Sequence, residues 1–123
     1  MKPLHVNEIE TFHKRFDNAS GGEIRKLTIL NPTTMILRLS VQDAGRAFDW
    51  IDLELEVSGV SDARLIEDSK LSFVDMSEGI SILFEDNNVI VCVGNYSSFD
   101  AAHNAPLFIR GSALKYQENN FSA

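Results

Sequence analysis

The sequence predicts a mainly β fold of the α+β class, with one N-terminal helix followed by six to eight mostly antiparallel strands forming a sandwich or a strongly curved sheet. Three observations carry this. Ile9, Phe12 and Phe16 fall at helical spacing near the N-terminus. Beyond Asp17-Asn18-Ala19-Ser20-Gly21-Gly22 the apolar period changes to two. No linker, repeat or low-complexity run interrupts the 123 residues, which therefore read as a single domain, 1–123, ending in a frayed tail at 119–123.

Asn7 to Phe16 reads as the helix, with Asn7 and Glu10 as an N-terminal capping pair and Val6 as the hydrophobic residue stapling the entry. His13, Lys14 and Arg15 put positive charge in the last turn, where the helix dipole favours it. The Asp/Asn/Ser/Gly run after Phe16 then ends the helix, because these residues bond their own backbone or accept left-handed angles.

Leu27 and Ile29 alternate with Lys26 and Thr28 in a first strand, which Asn31-Pro32 turns. Met35, Leu37, Leu39 and Val41 form the apolar side of a second. The third has the clearest alternation: Ile51, Leu53, Leu55 and Val57 on one side, and Trp50, Asp52, Glu54 and Glu56 on the other. Ser58-Gly59-Val60 reads as a bend, Ala63 to Ile66 as a short strand, and Leu71 to Met76 fits no single period.

Gly79 to Phe84 and Val89 to Val93 flank Glu85-Asp86-Asn87-Asn88, a turn sequence that predicts a hairpin. Val89 to Val93 is apolar on both sides, as expected of a central strand or one covered on both faces. Tyr96 to Pro106 reads as a polar loop with a helical turn around Asp100 to His103. Leu107 to Ile109 and Ala113 to Gln117 then read as one bent strand or two short ones.

The net charge of −7 is uneven: +2 over residues 1–40, −10 over 41–100 and +1 over 101–123. An acidic centre repels phosphate backbones and favours a basic protein partner, so nucleic acid is not expected. No apolar run reaches the roughly 18 residues of a membrane span, and residues 1–5 lack the apolar stretch of a signal peptide, so none is expected. A single cysteine, Cys92, set in an apolar run, suits a reducing compartment, and the expected location is cytoplasmic.

Chemistry is sparse in the sequence. Ser20-Gly21-Gly22 lies between helix and strand, whereas a phosphate cradle opens a helix, so it reads as a hinge turn. His5, His13 and His103 match no metal spacing, and one cysteine excludes the usual structural zinc sets; neither cofactor nor metal is expected. His103 and Asp100 in the 96–106 loop are the candidates for acid–base or ligand chemistry, set against a loop whose polar groups bond their own backbone. Asp52, Glu54 and Glu56 share one strand face, with neighbours about 7 Å apart. They read as a solvated face, a partner-binding face or, with further oxygen ligands, a cation site. Arg38 on the preceding strand is expected beside Asp52. Trp50 has the same parity and makes the row look like an aromatic anchor in a charged rim.

The order helix, Gly-rich break and alternating strands, ending in Leu107-Phe108-Ile109-Arg110-Gly111 and Leu114-Lys115-Tyr116, resembles small bacterial domains, some of which serve as immunity proteins against secreted toxins. The likeness is in size, charge and strand order over residues 7–118; it includes no motif, so no residue role is carried over. It implies an acidic protein that masks a basic toxin domain. The expectation is therefore a non-enzymatic protein-binding module using Trp50, Asp52, Glu54 and Glu56. A small-ligand or metal-dependent enzyme built on loop 96–106 is the alternative, and a structural subunit of an assembly, homo-oligomers included, is a third.

Overall fold

The N-terminal apolar spacing is realised, two residues shorter than expected, as α1 (Ile9–Phe16) in a computed structural model that describes residues 1–122. Asn7 does not cap it. It lies in a 3-10 turn, Val6–Glu8, where the Glu8 carboxylate accepts the His5 backbone N–H at 3.1 Å. Val6 is exposed and staples nothing, while Leu4 takes the buried position. At the other end Asp17, Asn18 and Ala19 all have positive φ, between 50° and 60°, so the chain leaves α1 through a left-handed segment.

The strands are β1 (Lys2–Pro3), β2 (Glu23–Asn31), β3 (Thr34–Asp43), β4 (Asp49–Ser58), β5 (Asp62–Arg64), β6 (Ile80–Glu85), β7 (Asn88–Val93), β8 (Phe108–Gly111) and β9 (Ala113–Asn120). They make two antiparallel sheets, β1-β9-β4-β3-β2 and β5-β8-β7-β6. Their facing sides share one core, in which Leu37, Leu39, Leu53 and Leu55 meet Ile82, Val91 and Ile109. The fold is thus the mainly β sandwich with an N-terminal helix that the periodicity predicts. Nine strands appear among the described residues; the extra one, β1, is two residues long and pairs only with β9. Pro3 fits there because an edge strand need not donate on its outer side.

The residues from 107 to 117 form two strands in different sheets. Gly111 allows the step between them: a Cβ there would lie 2.6 Å from both the Ser58 carbonyl oxygen and Val57 Cγ1. The ambiguous Leu71 region is a 3-10 turn, Asp68–Phe73, that buries Leu71 in the core. The β6–β7 hairpin forms as expected around Asp86 and Asn87, with Asp86 at φ 53°. Asn119 and Asn120 do not fray. They extend β9 and pair with Asp52 and Ile51; Ala123 lies outside the described residues.

α1 closes one side of the sandwich. Phe12 packs edge-on against Tyr116 of β9, with ring centroids 5.2 Å apart. Beneath the helix Arg15 donates to both oxygens of Asp43, at 2.8 and 2.7 Å, and pairs with Glu118. Asp43 is fully buried and takes further contacts from Arg46 and from the Gly45 N–H, at 3.3 and 2.8 Å. The Arg15 hydrogen bond, foremost among these, holds the Asp43 carboxyl below its usual range.

Candidate functional site

The register of β3, β4 and β9 fixes what surrounds the carboxylate row. On the outward face Glu56 stands between Ile36 and Lys115, Glu54 between Arg38 and Gln117, and Asp52 between Ser40 and Asn119. Lys26 of β2 pairs with Arg38. The three carboxylates of the row, with Glu23 of β2, thus share their face with four cations, Arg25, Lys26, Arg38 and Lys115, and the face is charge-balanced where the sequence suggested an acidic strip. Much of the negative charge of residues 41–100 instead lies on exposed turns and loops, at Glu67, Asp68, Asp75, Glu78, Glu85, Asp86 and Asp100.

The row's members differ in access. Asp52 is fully buried. Ser40 Oγ donates to its Oδ1 at 2.9 Å, while Oδ2 accepts from Arg38 Nη2 at 2.6 Å, from Ser122 Oγ at 2.9 Å and from the Ser122 N–H at 3.2 Å. Burial alone would raise this carboxyl, but the donors from Arg38, Ser122 and Ser40 outweigh it and hold the group below its usual range. The cross-strand contact expected from Arg38 therefore forms. It is diagonal, since Glu54 is Arg38's direct neighbour. Asp52 is committed to these partners, whereas Glu54 and Glu56 are half-buried and make no ion pair among the described residues. No group of three or more His, Cys, Asp or Glu is placed to hold a metal among the described residues.

Trp50 is 44% exposed at one end of this face, with Phe121, 45% exposed, beside it; the ring centroids are 6.5 Å apart. They line a groove of about 420 Å³ together with Gly21, Gly22, Glu23 and Ser40. Phe48, at the same end of the β3–β4 hairpin, is 63% exposed. Ala47 and Phe48 have φ values of 55° and 66°. A bulky side chain at positive φ costs of order 1–3 kcal/mol, and such backbone concentrates at functional positions. Sequence reasoning missed Phe48 and Phe121. Phe48 lies two residues before Trp50, at the same strand parity, and Phe121 is a lone aromatic in a polar stretch; those were the signals available.

The 96–106 segment is arranged differently. α2 (Phe99–Ala102) starts at Ser98, whose hydroxyl accepts the Ala101 N–H at 3.1 Å. Phe99, Ala102 and Ala105 then pack over Ile90, Cys92 and Phe108 on the outward face of the four-stranded sheet. The segment is thus an apolar cover, where a polar loop was expected. His103 is held within it: Nδ1 lies 2.9 Å from the Phe99 carbonyl oxygen and the ring sits edge-on to Phe99 and Phe108. Asp100 is exposed; the His103 backbone N–H donates to its carbonyl oxygen at 3.2 Å, but no side-chain hydrogen bond or ion pair joins the two among the described residues. Under this cover burial pushes the Cys92 thiol up to about 11.

The other two histidines stay apart. His5 is exposed. His13, on α1, lines a separate cleft of about 390 Å³ with Asp17, Glu78, Ile82 and Tyr96, and burial lowers its pKa. Compared with known proteins, the chain matches no family model, no curated protein and no solved structure. No helix among the described residues is long and apolar enough to cross a membrane.

Proposed function

We propose that this chain is a non-enzymatic protein-binding module that docks a basic partner through the Trp50 end of the five-stranded sheet. The observation that supports it best is the exposure of Phe48, Trp50 and Phe121 at one corner, with Phe48 held on left-handed backbone. Aromatic side chains give large contact area at low entropic cost, and exposed aromatics in a charged setting mark binding surfaces better than charge alone. Glu54 and Glu56 continue the charged face along β4 from Trp50, and Asp52 acts below the surface by holding the face in shape. Acidic turns around the molecule steer a basic partner inward and make its arrival salt-sensitive. In the toxin-immunity reading that partner is a basic toxin domain whose surface is masked. A cytoplasmic setting, where a single thiol stays reduced, goes with it.

The test is affinity capture at low and high salt with the wild type, Trp50→Ala and a Glu54→Lys/Glu56→Lys double variant. A basic partner retained by the wild type, weakened by salt and lost with Trp50→Ala is the expected result. Equal retention by all three proteins would sink the proposal.

A further inference from the structure

The last ladder pair of β9 joins Asn120 to Ile51. Beyond it, Phe121 and Ser122 turn onto the outward face of the five-stranded sheet and are held there by a specific set of contacts. Phe121 lies beside Trp50 and under the Arg25 guanidinium, whose Cζ is 5.7 Å from the ring centroid. Arg25 Nη2 also donates to the Ser122 carbonyl oxygen at 2.9 Å, and Arg38 Nη2 donates to Ser122 Oγ at 3.0 Å. Ser122 gives its N–H and its O–H to the same oxygen of buried Asp52. Two residues thus use an aromatic wall, two guanidinium donors and a buried carboxylate acceptor.

None of these contacts reads anything peculiar to residues 121–122 beyond an aromatic ring followed by a hydroxyl residue in an extended chain. We propose that this surface is a docking site for an extended aromatic–serine or aromatic–threonine segment, filled in cis by Phe121–Ser122. A partner segment of the same chemistry enters by displacing them. The chemistry favours that occupant over others. Asp52 Oδ2 needs donors to offset its burial, which a carboxylate in the hydroxyl's place cannot supply, and a purely apolar segment leaves Asp52 with only Arg38 and Ser40. Arg25 and Arg38 need acceptors, which a backbone carbonyl and a hydroxyl oxygen provide. Exchange is accessible because Phe121 is nearly half exposed and no strand ladder holds the segment, so opening costs far less than unfolding. The cis segment also competes at high effective concentration, which weakens trans binding to the intact chain.

The partner half of this inference rests on the docking role proposed for the Trp50 end; occupancy by the cis segment does not. Trp50 is the chain's single tryptophan and therefore reports directly on the site. The full chain and its Phe121→Ala/Ser122→Ala variant are compared by tryptophan emission and acrylamide quenching, with far-UV circular dichroism as the check of fold. Each is then titrated with a doubly capped peptide of residues 118–122, Glu-Asn-Asn-Phe-Ser.

The variant is expected to show red-shifted emission and stronger quenching. The peptide should reverse both, saturating at lower concentration than with the wild type, and peptides with Phe or Ser replaced by Ala should not. Should the double variant fail to fold, Ser122→Ala alone is read in the same way. No reversal by the peptide, or equal affinity for wild type and variant, overturns the inference. Partner capture that depends on Trp50 would survive that result, so failure here and failure of the docking role are distinguishable.

Discussion

The outward face of the four-stranded sheet is roofed, and that of the five-stranded sheet is largely open. On the first, Phe99, Ala102 and Ala105 cover Ile90, Cys92 and Phe108, and the central strand β7 is apolar on both sides. On the second, the carboxylates of β4 stand among cations of β2, β3 and β9, and Phe121 and Ser122 cross the face near Trp50. The difference teaches that an apolar outward row demands a cover from the same chain, while a row of mixed charges can stand in water and remain available to a partner.

The largest effect that separates the faces is expected from Phe99→Ala. Removing the main aromatic of the cover should cost about 3 kcal/mol or more, read as a lower urea midpoint at unchanged slope. A loss under about 1 kcal/mol would mean that the cover is not part of the packed structure.

Acid sharpens the comparison through the five-stranded sheet, which holds both buried carboxylates. Asp43 and Asp52 both have lowered pKa values in the folded chain, so their contribution is fully present above the unfolded carboxylate range. It is lost as pH falls through about 4 and below, where the carboxylates protonate. Urea midpoints measured from about pH 6 to about pH 3 should therefore fall for the wild type. They should fall less steeply for Asp43→Asn and Asp52→Asn, which start lower. Parallel slopes for all three would show that these carboxylates do not carry the acid sensitivity.

On the roofed side Cys92 should react slowly with a thiol-specific disulfide reagent near neutral pH, because its thiol is fully buried and its ionisation is pushed up to about 11. Phe99→Ala should speed that reaction severalfold by opening the cover, and an unchanged rate would count against local opening as the route of access. The smallest stability effect is expected from Trp50→Ala: about 1 kcal/mol or less in the same urea experiment, since this ring is nearly half exposed. A loss as large as that of Phe99→Ala would make Trp50 a core residue and undercut its role as an anchor.

Much of the fold could be read from local pattern. The four apolar residues of β4 at period two, the helical spacing of Ile9, Phe12 and Phe16, and the Asp86-Asn87 turn each state a local preference that tertiary packing kept. The candidate site was legible only in part. Trp50 and the carboxylate row were visible, and Arg38 was expected beside Asp52. The burial of Asp52 depends on Ser122, seventy residues away in sequence, and no local pattern reports such a contact. Ser98 to Ala105 looked polar because its buried residues, Phe99, Ala102 and Ala105, are few and widely spaced. Only the apolar outer row of β7 and β8 shows what they cover.

By itself the sequence determined the secondary-structure classes, the inward side of each long strand and the net charge, because these depend on nearest neighbours and on composition. Tertiary structure alone decided which outward face is covered, where the acidic charge meets cations and how the C-terminal residues complete the Asp52 site. Those outcomes depend on strand order and register, which place residues distant in sequence within hydrogen-bonding reach and so decide whether a buried charge is stable.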